Sequence, residues 1–70
     1  MNEYAVLTHR VTTGDKKRKR ITPVFDVQRA DGLKIVGGCL VLFVHTERGE
    51  ETVKTYGVGG WLDVEEQEAD

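Results

Sequence analysis

Seventy residues, a net charge of −2 and a single cysteine confine this chain to one small domain without an internal disulfide. No apolar run is long enough to cross a bilayer, and the N-terminal MNEYAVLTHR has neither a basic n-region nor a long apolar h-region. A cytoplasmic protein without a membrane partner is the expectation, and the lone Cys39 fits a reducing compartment.

Residues 3–13 alternate loosely and are rich in β formers, which predicts a first strand. Ala5, Leu7, His9 and Val11 share one face of it; Tyr4, Val6, Thr8 and Arg10 share the other. Gly14-Asp15 signals a turn, and Lys16, Lys17, Arg18, Lys19 and Arg20 follow as five consecutive cations. Such a run repels itself and belongs on an exposed hairpin loop.

Residues 21–30 form a second strand, with Pro23 placing it at a sheet edge or Pro23 at its entry. Phe25 and Val27 are expected to face the core and Asp26 and Gln28 to face water. Asp31-Gly32 between two apolar runs predicts a tight turn, hence a hairpin with the next strand.

That next stretch, residues 33–46, organises the rest. Between Ile35 and Val44 only Gly37 and Gly38 break the apolar run, and two adjacent glycines with β-branched neighbours argue against helix. The pattern predicts one central strand, bulged or bent at Gly37-Gly38. Ile35, Cys39, Val41 and Phe43 lie on one face and Val36, Leu40, Leu42 and Val44 on the other, so both faces need cover. Either the strand bends as in a small barrel and stays mostly inside, or a second copy packs on the Leu40, Leu42 and Val44 face; a small core is a further reason to expect the copy.

A four-residue loop, Glu47-Arg48-Gly49-Glu50, pairs Thr46 with Glu51, Val44 with Val53 and Phe43 with Lys54. The fourth strand then covers residues 51–58, and residues 61–64 make a short fifth strand or a final turn. Asp63 with Glu66 resembles a capping box and predicts a C-terminal helical turn. Residues 1–64 are read as the domain and residues 65–70 as an acidic tail without order, which could fold back on the basic loop. The fold class is all-β, an antiparallel meander of four or five strands. Its size and cationic loop resemble SH3-like and OB-like barrels, a likeness of architecture alone.

Charge is unevenly spread: residues 1–35 sum to +4 and residues 36–70 to −6. Asymmetry of this kind points to surface partners. Residues 16–20, flanked by Arg10, Arg29 or Lys34, suit phosphate contacts, whereas the aromatics needed to stack bases are few. His9, His45 and Cys39 lack metal-ligand spacing, so no metal or cofactor is expected. The glycines around Val58 lack the following helix that a phosphate loop needs.

The chain has no serine, and nothing in it pairs a nucleophile with a base, so catalysis is not expected. The leading expectation is a non-catalytic protein-binding module, an adaptor or inhibitor and a homodimer. Small acidic chains of this kind occur among phage and mobile-element proteins that target host machinery. Its contacts would be Tyr56, Trp61, Leu40, Leu42 and Val44, with the charged loop and tail. The alternative is a nucleic-acid-binding module using Lys16, Lys17, Arg18, Lys19 and Arg20.

Overall fold

The computed structural model describes residues 2–68. Six strands account for about three-quarters of them: β1 (Asn2–Gly14), β2 (Lys19–Ala30), β3 (Gly32–Val36), β4 (Cys39–Thr46), β5 (Gly49–Tyr56) and β6 (Asp63–Glu68). They form two antiparallel sheets of three strands each, in the orders β2-β1-β6 and β3-β4-β5. The class is all-β as expected, but there are six strands and no closed barrel. Among the described residues there is no helix, and so none long and apolar enough to cross a membrane.

The core lies between the sheets. Tyr4 and Val6 of β1 and Ala30 of β2 meet Leu40 and Leu42 of β4 and Tyr56 of β5, with Leu33, Trp61 and Val64 packed against them. Tyr4, Val6, Leu40 and Leu42 are almost wholly removed from water. Each sheet therefore spends one face on a shared apolar layer and leaves the other outside.

The expected central strand is a hairpin. Val36 pairs with Cys39 across Gly37 and Gly38, whose φ angles are +58° and +83°. A two-residue hairpin turn of this hand needs positive φ at both central positions, which glycine adopts without steric cost. The chain thus reverses where a bend was expected, and Ile35 and Val36 end more than half exposed.

Asp31 does not close a hairpin between β2 and β3. The two strands lie in different sheets, and Asp31 is the corner between them. Its N–H donates to Phe43 O at 2.8 Å, and its Oδ2 accepts from His45 N–H at 2.7 Å. A backbone turn alone would have left both groups free; binding to β4 fixes the crossover instead.

The β4–β5 turn is shorter than predicted. Glu47 and Arg48 alone connect Thr46 to its partner Gly49, and Val44 pairs with Glu51 and Phe43 with Thr52. Thr46 explains the tighter closure: its Oγ1 donates to Gly49 O and accepts from Arg48 N–H. A bulge at Val53 then restores the inward direction, pairing Leu42 with Lys54 and Leu40 with Tyr56.

The faces of β2 are the reverse of those expected. Phe25 and Val27 point outward, 49% and 59% exposed, while Asp26 and Gln28 point inward and are half-buried. The inward polar groups are satisfied. Tyr56 Oη–H donates to Asp26 Oδ2, and Gln28 Nε2–H donates to the same carboxylate at 3.2 and 3.3 Å.

The C-terminal segment forms neither a helical turn nor a loose tail. β6 pairs with residues 2–7 of β1, so Glu65 and Glu66 lie in a sheet, and the domain boundary at residue 64 falls inside a strand. Tyr4 Oη–H donates to Glu66 Oε1 at 3.2 Å, and Asn2 Nδ2–H donates to the same oxygen. This holds the segment at the end of β1 opposite Gly14, away from the basic loop. Asp70, also counted in the expected tail, lies outside the described residues.

Leu42→Ala should cost about 2–5 kcal/mol in urea unfolding, whereas Val58→Ala, at a site 73% exposed, should change it by less than about 0.5 kcal/mol. Equal costs would place the core elsewhere.

The Tyr56–Asp26 pair predicts a pH dependence. The Asp26 carboxyl is held below its usual range, chiefly by the Tyr56 hydroxyl and then by Gln28. Burial first, and Asp26 second, push the Tyr56 hydroxyl up to about 12. A depressed carboxyl stabilises the fold above the ordinary Asp pKa, and that contribution fades as pH falls below it. A raised tyrosine stabilises below pH ~10, and its contribution is lost as pH climbs toward 12. Tyr56→Phe should cost about 1–2 kcal/mol at neutral pH and reduce the alkaline loss. Urea unfolding at stepped pH checks this, and an undiminished alkaline slope would acquit Tyr56.

Candidate nucleic-acid interface

The hairpin of β1 and β2 outruns the core. Every residue from 9 to 23 is exposed, and the pairs from His9–Val24 to Gly14–Lys19 carry the ribbon about 20 Å past the bulge at Thr8. The Cα extents of the chain, 55 × 31 × 12 Å, reflect this arm. Val11, Thr12, Thr13, Ile21 and Thr22 favour the extended backbone, so the ribbon persists without a layer beneath it. The extra residue at Thr8 marks where body becomes arm; its Oγ1 donates to Val24 O at 3.3 Å. Bulges bend and twist a ribbon, and this one aims the arm.

The tip is a four-residue turn from Asp15 to Arg18. Asp15 Oδ1 accepts from the backbone N–H of Lys17 and of Arg18, each at 2.9 Å. These bonds, that to Arg18 foremost, hold the Asp15 carboxyl below its usual range. Gly14 closes the turn at φ +104°, where a Cβ would stand 1.9 Å from Arg18 O. The only carboxylate of the arm is thereby spent on shaping the tip.

The arm gathers six cations: Arg10, Lys16, Lys17, Arg18, Lys19 and Arg20. With Asp15 it carries +5, and since the whole chain is at −2 the remainder carries −7. Among the described residues none of the six makes an ion pair. A concave hollow of about 490 Å³ opens at the tip, lined by Thr13, Gly14, Arg18, Lys19 and Arg20. It is an exposed, cation-lined recess of a size that admits a phosphate.

The structure thus brings Arg10 together with residues 16–20 and separates the other two expected flankers. Arg29 sits on the body, 3.3 Å from Glu3, and Lys34 pairs with Glu50 and lies 5.7 Å over the Phe43 ring. The expected protein contacts are mostly interior. Leu40, Leu42 and Tyr56 are buried, Val44 is half-buried, and Trp61 is half-buried with its Nε1–H donated to Gly38 O at 3.0 Å.

Cys39, His9 and His45 do not converge, and among the described residues no three His, Cys, Asp or Glu side chains are placed to hold a metal ion. The His45 ring instead sets its edge on Phe43, 5.4 Å between centroids. Arg10 is the arm residue that local charge clustering alone leaves unattached, because its neighbours in sequence are uncharged. Cross-strand pairing with Pro23 is what joins it to the basic set.

Comparison with protein-family models, with curated proteins and with solved structures gives no match.

Gly14→Ala should disturb the tip alone. Amide resonances of residues 13–20 should shift or broaden while the urea midpoint of the body stays close to that of the parent chain. A large loss of global stability would show that the arm and body unfold as one unit.

Proposed function

We propose that this chain is a non-catalytic binding module that engages duplex DNA through its basic arm. The observation that carries this is the segregation of charge: six unpaired cations on a projecting ribbon, its one carboxylate committed to the turn, on a body of opposite sign. The major groove of B-DNA, about 12 Å wide, admits a two-stranded ribbon, and strands are used in this way by known DNA readers. An acidic body favours tip-first contact, because phosphates repel everything except the arm.

Two further features favour duplex DNA over other polyanions. Residues 10–23 contain no aromatic side chain on which an unpaired base would stack. The deep, narrow major groove of an RNA duplex does not admit such a ribbon. Cations at an exposed hairpin tip contact phosphates more than base edges, so affinity with little sequence preference is expected. The alternative of an adaptor or inhibitor docking through Leu40, Leu42 and Tyr56 has less support, because those side chains fill the core.

Binding of the purified chain to a short DNA duplex, followed by fluorescence anisotropy at increasing salt, tests the proposal. The slope of log K against log salt should steepen by about −0.9 for each phosphate engaged, and each Lys→Gln or Arg→Gln change at residues 16–20 should flatten it by about 1. Neutralising all five should abolish binding. No binding at low salt, or binding that survives the neutralised arm, would overturn it.

A further inference from the structure

The outward face of β2 is apolar from Ile21 to Val27, between Lys19 and Arg29. Ile21, Pro23, Phe25 and Val27 occupy alternate positions and share that face, with Ile21 63% exposed. Leu7 and Ala5 stand beside Phe25 and Val27 across the β1–β2 ladder. Leu7 is buried yet lies outside the inter-sheet cluster, and the half-exposed Leu62, whose N–H donates to Leu7 O, adjoins it. A strand that turns polar Asp26 and Gln28 inward and this stripe outward has its better hydrophobic face uncovered. Contiguous apolar surface of this kind marks an interaction site.

We propose that a second copy of the chain covers this face, forming a two-fold dimer in which the β2 stripes pack on each other. Charge selects the occupant. The chain is +5 at one end and −7 over the rest, so antiparallel copies attract end to end. Arg10 and Lys19 share the stripe's face, by their pairing with Pro23 and their odd position on β2. At the other end the face carries Asp63 and Glu65, opposite Leu7 and Ala5, beside the mutual ion pair of Glu3 and Arg29. Antiparallel stacking with the two-fold near Phe25 sets Arg10 of each copy toward Asp63 and Glu65 of the other, and leaves Lys16, Lys17, Arg18 and Lys19 toward the tips. Face-to-face packing is also the mode that β2 permits, because Pro23 withholds a donor from the free edge of the ladder. An isologous contact needs one self-complementary patch, and this face supplies it.

Sedimentation equilibrium tests the dimer. The parent chain should show about twice 7.9 kDa, and Phe25→Ser with Val27→Ser should return the monomer mass with an unchanged far-UV spectrum. A monomeric parent chain, or a doubly substituted chain that still dimerises, would overturn the proposal. Should the double variant fail to fold, cross-linking decides. In a Cys39→Ser background, Phe25→Cys should form an intermolecular disulfide on mild oxidation and Val53→Cys, on β5, should not. Cross-linking at both positions or at neither would overturn the proposal as well.

Discussion

The corner at Ala30, Asp31 and Gly32 decides which way β2 faces, and most of the molecule follows from it. Ala30 is fully buried, Asp31 is tied to β4 by its own N–H and by its carboxylate, and a Cβ on Gly32 would stand 2.6 Å from the Phe43 ring. Only a small residue, a bridging carboxylate and a bare backbone fit so close to β4. With Ala30 turned inward, period two forces Gln28, Asp26 and Val24 inward and Phe25 and Val27 outward. The polar pair is tolerated because Tyr56, delivered from the other sheet, caps the carboxylate. One tight crossover thus sets the content of the core and the character of the outer surface.

The same crossover separates two regimes of stability. The body has a shared apolar layer and side-chain hydrogen bonds that span the sheets or tie one strand to the next. The arm has a ladder of backbone bonds between β-forming residues and a turn organised by one aspartate. Segments with few apolar contacts open at low free-energy cost, and the elements that reach for ligands are drawn from that class. Concentrating cations there removes their mutual repulsion from the core, where it would oppose folding, and places it where it is screened by water or by a polyanion. The acidic strand β6 sits at the far end of β1, so the chain keeps its opposite charges apart along its longest dimension.

Much of this was written in local sequence. Strand propensity in residues 3–13 and 21–30 reports on the backbone directly, and the cationic run had to lie at the surface, since no small core pays to desolvate five charges; that Lys19 and Arg20 open β2 came from the ladder. Gly37-Gly38 between apolar runs was a hairpin signal too, one that a continuous apolar pattern obscured. The acidic character of residues 65–67 hid a strand, because these side chains are exposed and their order comes from pairing with β1. Arg10, six residues before the run, was legible as one of three possible flankers; its pairing with Pro23 on the arm is what separates it from Arg29 and Lys34.

Sequence by itself determined the all-β class, the β1–β2 and β4–β5 hairpins and the position of the charged tip, because each depends on neighbours a few residues apart. Tertiary structure decided the division into two sheets, the return of β6 to β1, and the outward turn of Phe25 and Val27. Alternation along a strand says that two faces differ but carries no information about which one meets the core. That choice belongs to the long-range contacts of Asp31 with β4 and of Tyr56 with Asp26, where bond geometry outweighs the few kcal/mol that burying one phenylalanine would contribute.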